Sequence, residues 1–182
     1  MFLIVGLGNP GDEYEKTRHN AGFILLDHIV GSSDWDFMSG ANSFFYKTKI
    51  GDHDIKFLKP QTHMNNSGTA VSYIVKKNNL KSEQVIVIHD EIDLPVGEYK
   101  ISFGSGHAGH NGVASITEAL GTKEYYRIRI GVSPKDDEGN TRRPVGGEQA
   151  DFVLKNMSKV DLEKIIGLSE NIKKEIEEIL VK

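Results

Sequence analysis

The sequence predicts one α/β domain, built on a mixed, twisted β-sheet with helices on both faces. Three observations carry this. Strand-like apolar runs alternate along the chain with segments of helical spacing, the order expected of an α/β sheet. Two of those runs, residues 2–7 and 85–88, are apolar without a break, as for strands covered on both sides. A chain of 182 residues that is 38% hydrophobic suits a single domain, residues 1–182, with a real core.

The elements follow in order. "FLIVGL" (2–7) is a buried first strand ending in glycine. "AGFILLDHIV" (21–30) is a helix with Phe23, Leu26, Ile29 and Val30 able to share a face. "SFFYKTKI" (43–50) and "HDIKFLKP" (53–60) are two strands joined at Gly51-Asp52, a hairpin. "SGTAVSYIVKKNN" (67–79) is a helix with Val71, Ile74 and Val75 inward. "QVIVIHDEIDLP" (84–95) is a second buried strand, Val85 to Ile88, that runs out into an acidic loop. "GEYKISF" (97–103) is a strand, and "NGVASITEALG" (111–121) is a helix closed by Gly121. "YRIRIGV" (126–132) alternates, with Ile128 and Ile130 on one face and Arg127 and Arg129 on the other. Residues 133–147 have no periodicity and read as a mobile loop. Residues 158–181 read as one C-terminal helix, opened by a capping box of Ser158 and Asp161.

Composition narrows the function. The absence of cysteine excludes disulfides, thiolate zinc sites and a cysteine nucleophile. A net charge of −4 argues against a protein coated in positive charge for nucleic acid. It leaves room for a local basic face, because the acids can be segregated elsewhere, and residues 158–182 hold many of them. The N-terminal apolar run has no basic flank and is too short to span a membrane, so a cytoplasmic protein with no membrane contact is expected.

Gly6-Leu-Gly8-Asn-Pro-Gly11 matches a dinucleotide fingerprint after a strand. The context disagrees. Pro10 lacks an amide hydrogen, Asp12, Glu13 and Glu15 follow where phosphate would sit, and the acid needed for the ribose would be Asp27, inside a helical pattern. A tight turn that holds Asn9 at a strand end fits better, and no nucleotide cofactor is expected.

Two histidine–asparagine pairs stand out, His19-Asn20 in "TRHNAGF" and His110-Asn111 in "HAGHNGV". His28, in a helical pattern, and His53, beside the hairpin turn, suit structural or solvent roles, and His63 lies near a possible site as support, with no evident partner. His107 and His110 have a metal-like spacing, with His89 or Asp90 as a third ligand, but they lie on a glycine-rich loop without the fixed orientation such sites need, and no metal is expected. That loop suits close backbone approach to a ligand, and Asn111 suits the N-cap of the following helix. His19 is the best candidate for a general base, because an imidazole is most effective near neutral pH. Asp90, where a buried strand ends, can orient it. No G-x-S-x-G elbow occurs, so a His–Asp pair without a nucleophile points to activated water and hydrolysis. Asn9, Asn65 and Asn111 would supply neutral donors and acceptors around the reacting group.

The stretches "VGLGNPGDEYEKTRHNAGF", "KPQTHMNNSG", "HDEIDLPVG", "GHAGHNG" and "RIRIGV" resemble, in order and spacing, those of bacterial-type peptidyl-tRNA hydrolase, and "GGEQADFVL" (146–154) resembles the segment before that family's last helix. The resemblance implies cleavage of the ester between a peptide and the terminal ribose of tRNA, by a monomer that needs no cofactor. It implies His19 and Asp90 as the catalytic pair. Asn9 and Asn65 would hold the peptide and the reaction centre, Asn111 the water and substrate, with His110 beside it, and Tyr14 would contact the tRNA side. Arg129 and Lys100 would meet tRNA phosphates, although a lysine common in the family before its glycine-rich loop is here Ser102, and His63 stands where an aromatic residue is common. Arg142 and Arg143 can supply compensating charge. Two other readings are a catalytically silent RNA-binding protein of the same fold and a small-molecule hydrolase that needs no basic flank.

Overall fold

The computed structural model describes residues 1–31 and 35–182. Its centre is four parallel strands, β1 (Phe2–Gly6), β4 (His53–Pro60), β5 (Val85–Pro95) and β7 (Tyr126–Ser133). Antiparallel strands extend both edges: β3 (Ser43–Ile50) and β2 (Asp36–Met38) beside β4, and β6 (Tyr99–Phe103) beside β7. The order across the sheet is β2-β3-β4-β1-β5-β7-β6.

Alternation along the central strands divides the core in two. Ile4, Ile86, Ile88, Ile128 and Ile130 point to one face, where they pack with α1 (Ala21–Val30), α5 (Lys159–Ile166) and α6 (Ser169–Leu180). Leu3, Val5, Val85 and Val87 point to the other, under α2 (Ser67–Lys77) and α3 (Asn111–Leu120). Both faces are covered, which is why Leu3–Val5 of β1 and Val85–Ile88 of β5 are buried without a polar residue among them. Of the inward residues expected on the helices, Phe23, Leu26, Ile29, Val71 and Ile74 are buried, while Val30 and Val75 are half-buried at the margins of the core. Gly121 closes α3 in the left-handed region, at φ 69°.

Three features depart from the sequence reading. β5 does not end at Ile88: it continues through His89, Asp90 and Glu91 to Pro95, still paired with β7, with a bulge after Glu91. Its acids are tolerated on a buried strand because each has a partner, described below. The C-terminal segment is two helices, not one. The chain breaks at Gly167-Leu168, where the Leu168 N–H donates to the Ile165 carbonyl at 3.0 Å and the Ser169 hydroxyl to the Ile166 carbonyl at 2.6 Å. Glycine weakens a helix interior, and the serine competes for the backbone carbonyl. Finally, the short edge strand β2 and the helix α4 (Glu148–Val153) carried no periodic signal long enough to read.

Candidate active site

The glycines near the N-terminus serve packing. A Cβ on Gly22 would collide with the backbone of Leu7 and the Ile88 carbonyl, and one on Gly6 would lie 2.5 Å from the Gly22 carbonyl oxygen. A Cβ on Gly8 would overlap the Phe23 ring. These residues let α1 cross directly over β1 and β5. The turn that follows is held by amides. The Asn9 N–H donates to Asn20 Oδ1 at 2.9 Å, and Asn20 Nδ2 donates back to the Asn9 carbonyl at 2.9 Å. Asn9 Oδ1 accepts the Met64 N–H at 2.8 Å, which leaves its Nδ2 hydrogens for a ligand.

The first histidine pair meets the second across Asp90. One oxygen, Asp90 Oδ1, accepts from His19 Nδ1 and from His110 Nε2, both at 2.9 Å. The imidazole centroids are 5.0 Å apart. The carboxylate is 2% exposed. Burial opposes its ionisation, but the two imidazoles outweigh that and hold it far below the usual carboxylate range. For His19, burial disfavours the cation, while the charge and hydrogen bond of Asp90 more than compensate and raise its pKa.

The two histidines differ in what they have left. His110 is the N-cap of α3, its Nδ1 accepting the Val113 N–H at 3.3 Å while its Nε2 is on Asp90, so both ring nitrogens are engaged. His19 has only Nδ1 engaged, and Nε2 has no partner among the described residues. The expected cap, Asn111, is instead the first residue of α3, and its exposed amide is left free. A third ring, His89, is buried behind His110 at 4.7 Å between centroids, and its Nδ1 donates to the Asp90 carbonyl at 2.7 Å. Desolvation, then the nearby His110, keeps it neutral.

His19, Asp90 and His110 also have the composition of a metal site, their ligand-type atoms lying within 4.8 Å of one another. Both nitrogens, however, are N–H donors to the same oxygen, and the third candidate, His107, is exposed with its Nδ1 accepting the Gly109 N–H at 3.1 Å. The spacing His107-x-x-His110 therefore does not become a shared ligand set.

Asn9, Tyr14, His19, Asn65, Asp90, His110 and Asn111 all line one cleft of about 510 Å³. It opens beyond the carboxyl ends of β1 and β4 and beside the middle of β5, on the side of the sheet where open α/β folds place their sites. Two further parts of its wall were not among the assigned site residues. His63, at φ 57° and ψ 159°, flanks Asn65 in a conformation that costs a non-glycine residue on the order of 1–3 kcal/mol. Gln149, Ala150, Val153 and Leu154, of α4 and its end, form the far side. Arg18 braces that side: its guanidinium sits 4.3 Å from the Phe152 ring centroid and donates to the Lys155 and Asn156 carbonyls at 3.2 and 3.3 Å. A six-residue helix without periodicity offers little to read, and only the resemblance marked "GGEQADFVL" (146–154), which contains it.

Lys100 and Arg129 do not line the cleft. They face each other in the β6–β7 ladder, as do Ser102 and Arg127. Arg129 Nε and Nη2 each lie 2.9 Å from Glu91 Oε2, and Glu91 is itself part of the cleft wall. Arg127 is buried and donates to the Gly106 carbonyl at 2.9 Å, so it anchors the glycine-rich loop, and the buried Ser102 hydroxyl is unpaired among the described residues. In the 133–147 loop Arg143 is paired with Asp93 at 3.0 Å.

Comparison with known proteins gives the same answer along the whole chain. The family profile for peptidyl-tRNA hydrolase matches residues 3–182. The chain is 39% identical over 183 residues to a peptidyl-tRNA hydrolase of Dichelobacter nodosus, covering 99% of this chain and 92% of that one. It is 40% identical over 169 residues to one of Lawsonia intracellularis, with 91% and 80% covered. The crystal structure of peptidyl-tRNA hydrolase from Acinetobacter baumannii superposes with a TM-score of 0.81 at 31% identity, over 93% of this chain and 83% of that one. With fold, cleft and sequence in agreement over nearly its full length, this chain belongs to the peptidyl-tRNA hydrolase family.

Proposed function

We propose that this protein cleaves peptidyl-tRNA by water attack, with His19 as general base and Asp90 as the group that orients it. One observation carries the assignment. Asp90 holds two imidazoles on one oxygen, and only His19 keeps a ring nitrogen free. His19 Nε2 takes a proton from water as the oxygen attacks the ester carbonyl carbon. The imidazolium that forms is stabilised by the buried Asp90 carboxylate. It then returns the proton to the ribose oxygen as the ester bond breaks, releasing a peptide carboxylic acid and a tRNA with a free terminal hydroxyl. An ester needs less help for its leaving group than an amide, so one base and fixed donors suffice.

The asparagines suit the developing charge. Asn9 Nδ2 and the free amides of Asn65 and Asn111 donate without bringing in a charge that must be desolvated. Tyr14, at the cleft edge, is assigned to the tRNA side. Lys100 and Arg129 are assigned to tRNA phosphates, and for Arg129 that contact competes with Glu91. Action as a monomer is assigned with the family resemblance. Among the described residues no helix is long and apolar enough to cross a membrane. The cytoplasm, where peptidyl-tRNA arises, is the compartment assigned.

The test is hydrolysis of N-acetyl-aminoacyl-tRNA beside unblocked aminoacyl-tRNA. Cleavage of the blocked substrate alone is expected. tRNA binding without cleavage would instead support an RNA-binding protein of the same fold, and cleavage of simple esters with no tRNA binding would support a small-molecule hydrolase.

A further inference from the structure

His89 is a buried, titratable group that the reaction as derived above does not use. It is 1% exposed and does not line the cleft. Its surroundings discourage charge. Burial opposes the cation, His110 and Arg127 push the same way, and Asp90 offsets this only in part. A neutral imidazole has one donor and one acceptor. The donor is used, Nδ1–H bonding the Asp90 carbonyl at 2.7 Å. The acceptor, Nε2, is buried with no partner among the described residues. An unpaired buried acceptor is unfavourable, and a phenyl ring of similar shape would avoid it. What a phenyl ring could not supply is the donor. The bond to Asp90 is therefore what sets histidine apart from an apolar ring at this place.

That bond acts on the acid of the cleft. The direction in which a side chain leaves a strand is set by the backbone of its own residue. The Asp90 carbonyl belongs to the planar peptide unit that follows the residue, so holding it fixes ψ of Asp90. One residue further on, the hold of the sheet is interrupted: after Glu91 the register with β7 shifts, and pairing resumes at Pro95. The His89 ring also meets His110 edge-on, with centroids 4.7 Å apart and planes at 71°. His110 shares Asp90 Oδ1 with His19. His89 thus holds Asp90 from the backbone side and backs the second imidazole that its carboxylate binds.

We propose that His89 is a positioning residue: its Nδ1–H fixes the Asp90 backbone, and through it the carboxylate that aligns His19. This deepens the proposed function and rests on the roles given there to His19 and Asp90. If the imidazole only filled space, activity would follow stability from one substitution to the next. If it positions Asp90, the two separate. His89→Phe keeps a ring against His110 but has no donor. His89→Asn keeps a donor, its Nδ2, close to the place of the imidazole Nδ1, and leaves part of the ring volume empty.

The experiment is steady-state hydrolysis of N-acetyl-aminoacyl-tRNA by both variants over a pH series, beside urea unfolding. His89→Phe should unfold near the wild-type midpoint, because the lost hydrogen bond is offset by removal of the unpaired Nε2. Its kcat should fall about 10-fold or more, towards the ~10²-fold that a misplacement of about 1 Å can cost. KM should be unchanged, since the residue does not reach the cleft. The acid limb of kcat/KM should move to lower pH as Asp90 is held less well against His19. His89→Asn should be the less stable of the two, yet recover most of the rate and the wild-type acid limb. A His89→Phe enzyme with either kcat or acid limb unchanged, or a folded His89→Asn enzyme as slow as His89→Phe, overturns the proposal. Should His89→Phe fail to fold, His89→Asn decides: most of the rate with a wild-type limb supports the role, and loss of either in folded protein overturns it. Failure of both to fold makes the residue a structural one and overturns it too. His19→Ala, run alongside, keeps the two readings apart. A rate retained there removes the base and with it this role, whereas a rate lost there beside an unchanged His89→Phe enzyme removes the role of His89 alone.

Discussion

Replacing Asp90 with asparagine keeps the accepting oxygen and deletes the charge. The amide can still take both imidazole N–H groups at the 2.9 Å positions, so the geometry survives. What changes is the balance on His19. In the wild type, burial favours neutral imidazole and Asp90 more than reverses that, leaving the pKa raised. The acid limb of kcat/KM, which reports the neutral base in free enzyme, should therefore lie above the ordinary histidine value of about 6.5. In Asp90→Asn only the burial effect remains, and the limb should move below about 6.5. The variant should also be slower throughout, by at least about 10²-fold, because the imidazolium formed in the reaction loses its counter-charge. Two charge-assisted hydrogen bonds become neutral ones, a loss of about 2 kcal/mol of stability at neutral pH. The folded-state pKa of Asp90 is depressed, so this stability is present above the ordinary aspartate value of about 4 and fades as pH falls below it, where wild type and variant should converge. The assay is a pH series of kcat/KM on N-acetyl-aminoacyl-tRNA beside urea unfolding. An acid limb that stays put or moves upward would refute the reasoning.

Three further outcomes follow from the structure. Gly22→Ala should destabilise the fold by about 3 kcal/mol or prevent folding, since its methyl group meets backbone that cannot move aside, and a melting temperature near wild type would show that α1 crosses β1 less closely. His89 is buried and neutral, with a depressed pKa, so folded protein loses stability as pH falls below about 6.5 and the unfolded chain takes the proton; His19, with a raised pKa, contributes the opposite slope. His89→Gln should make unfolding midpoints fall less between pH 7 and pH 5, a window that spans histidine titration, to be read against wild type in urea. Glu91→Gln removes the charge that holds Arg129, and tRNA affinity should rise at low salt; a fall would mean that Glu91 positions Arg129 for phosphate.

What was legible in the sequence depended on how local the signal is. The buried runs Leu3–Val5 and Val85–Ile88, the hairpin at Gly51-Asp52 and the faces of α1 and α2 are set by neighbouring residues, and pattern alone found them. Six of the seven cleft residues stood out because paired histidines and asparagines and an acid after an apolar run have few structural uses; Tyr14 was named through the family resemblance alone, which also put the others in register. What failed was long-range. The sequence gives β5 an acidic tail that looks like a loop, and only the continued pairing with β7, with His19, His110 and Arg129 as partners, keeps it a strand. The sharing of Asp90 by two histidines 91 residues apart in the chain is of the same kind, since no spacing rule predicts it. His110 displaced Asn111 as the cap of α3 because its ring was already fixed by Asp90.

The most direct measurement is single-turnover hydrolysis of N-acetyl-aminoacyl-tRNA by His19→Ala and His110→Ala, with and without added imidazole. His19→Ala should lose at least about 10²-fold, with folding intact and part of the rate restored by imidazole, because it removes the ring with a free nitrogen. His110→Ala should lose less and show no rescue, because its ring only positions Asp90 and caps a helix. A His19→Ala enzyme that keeps more than about a tenth of the rate, or rescue confined to His110→Ala, would contradict the assignment of the base.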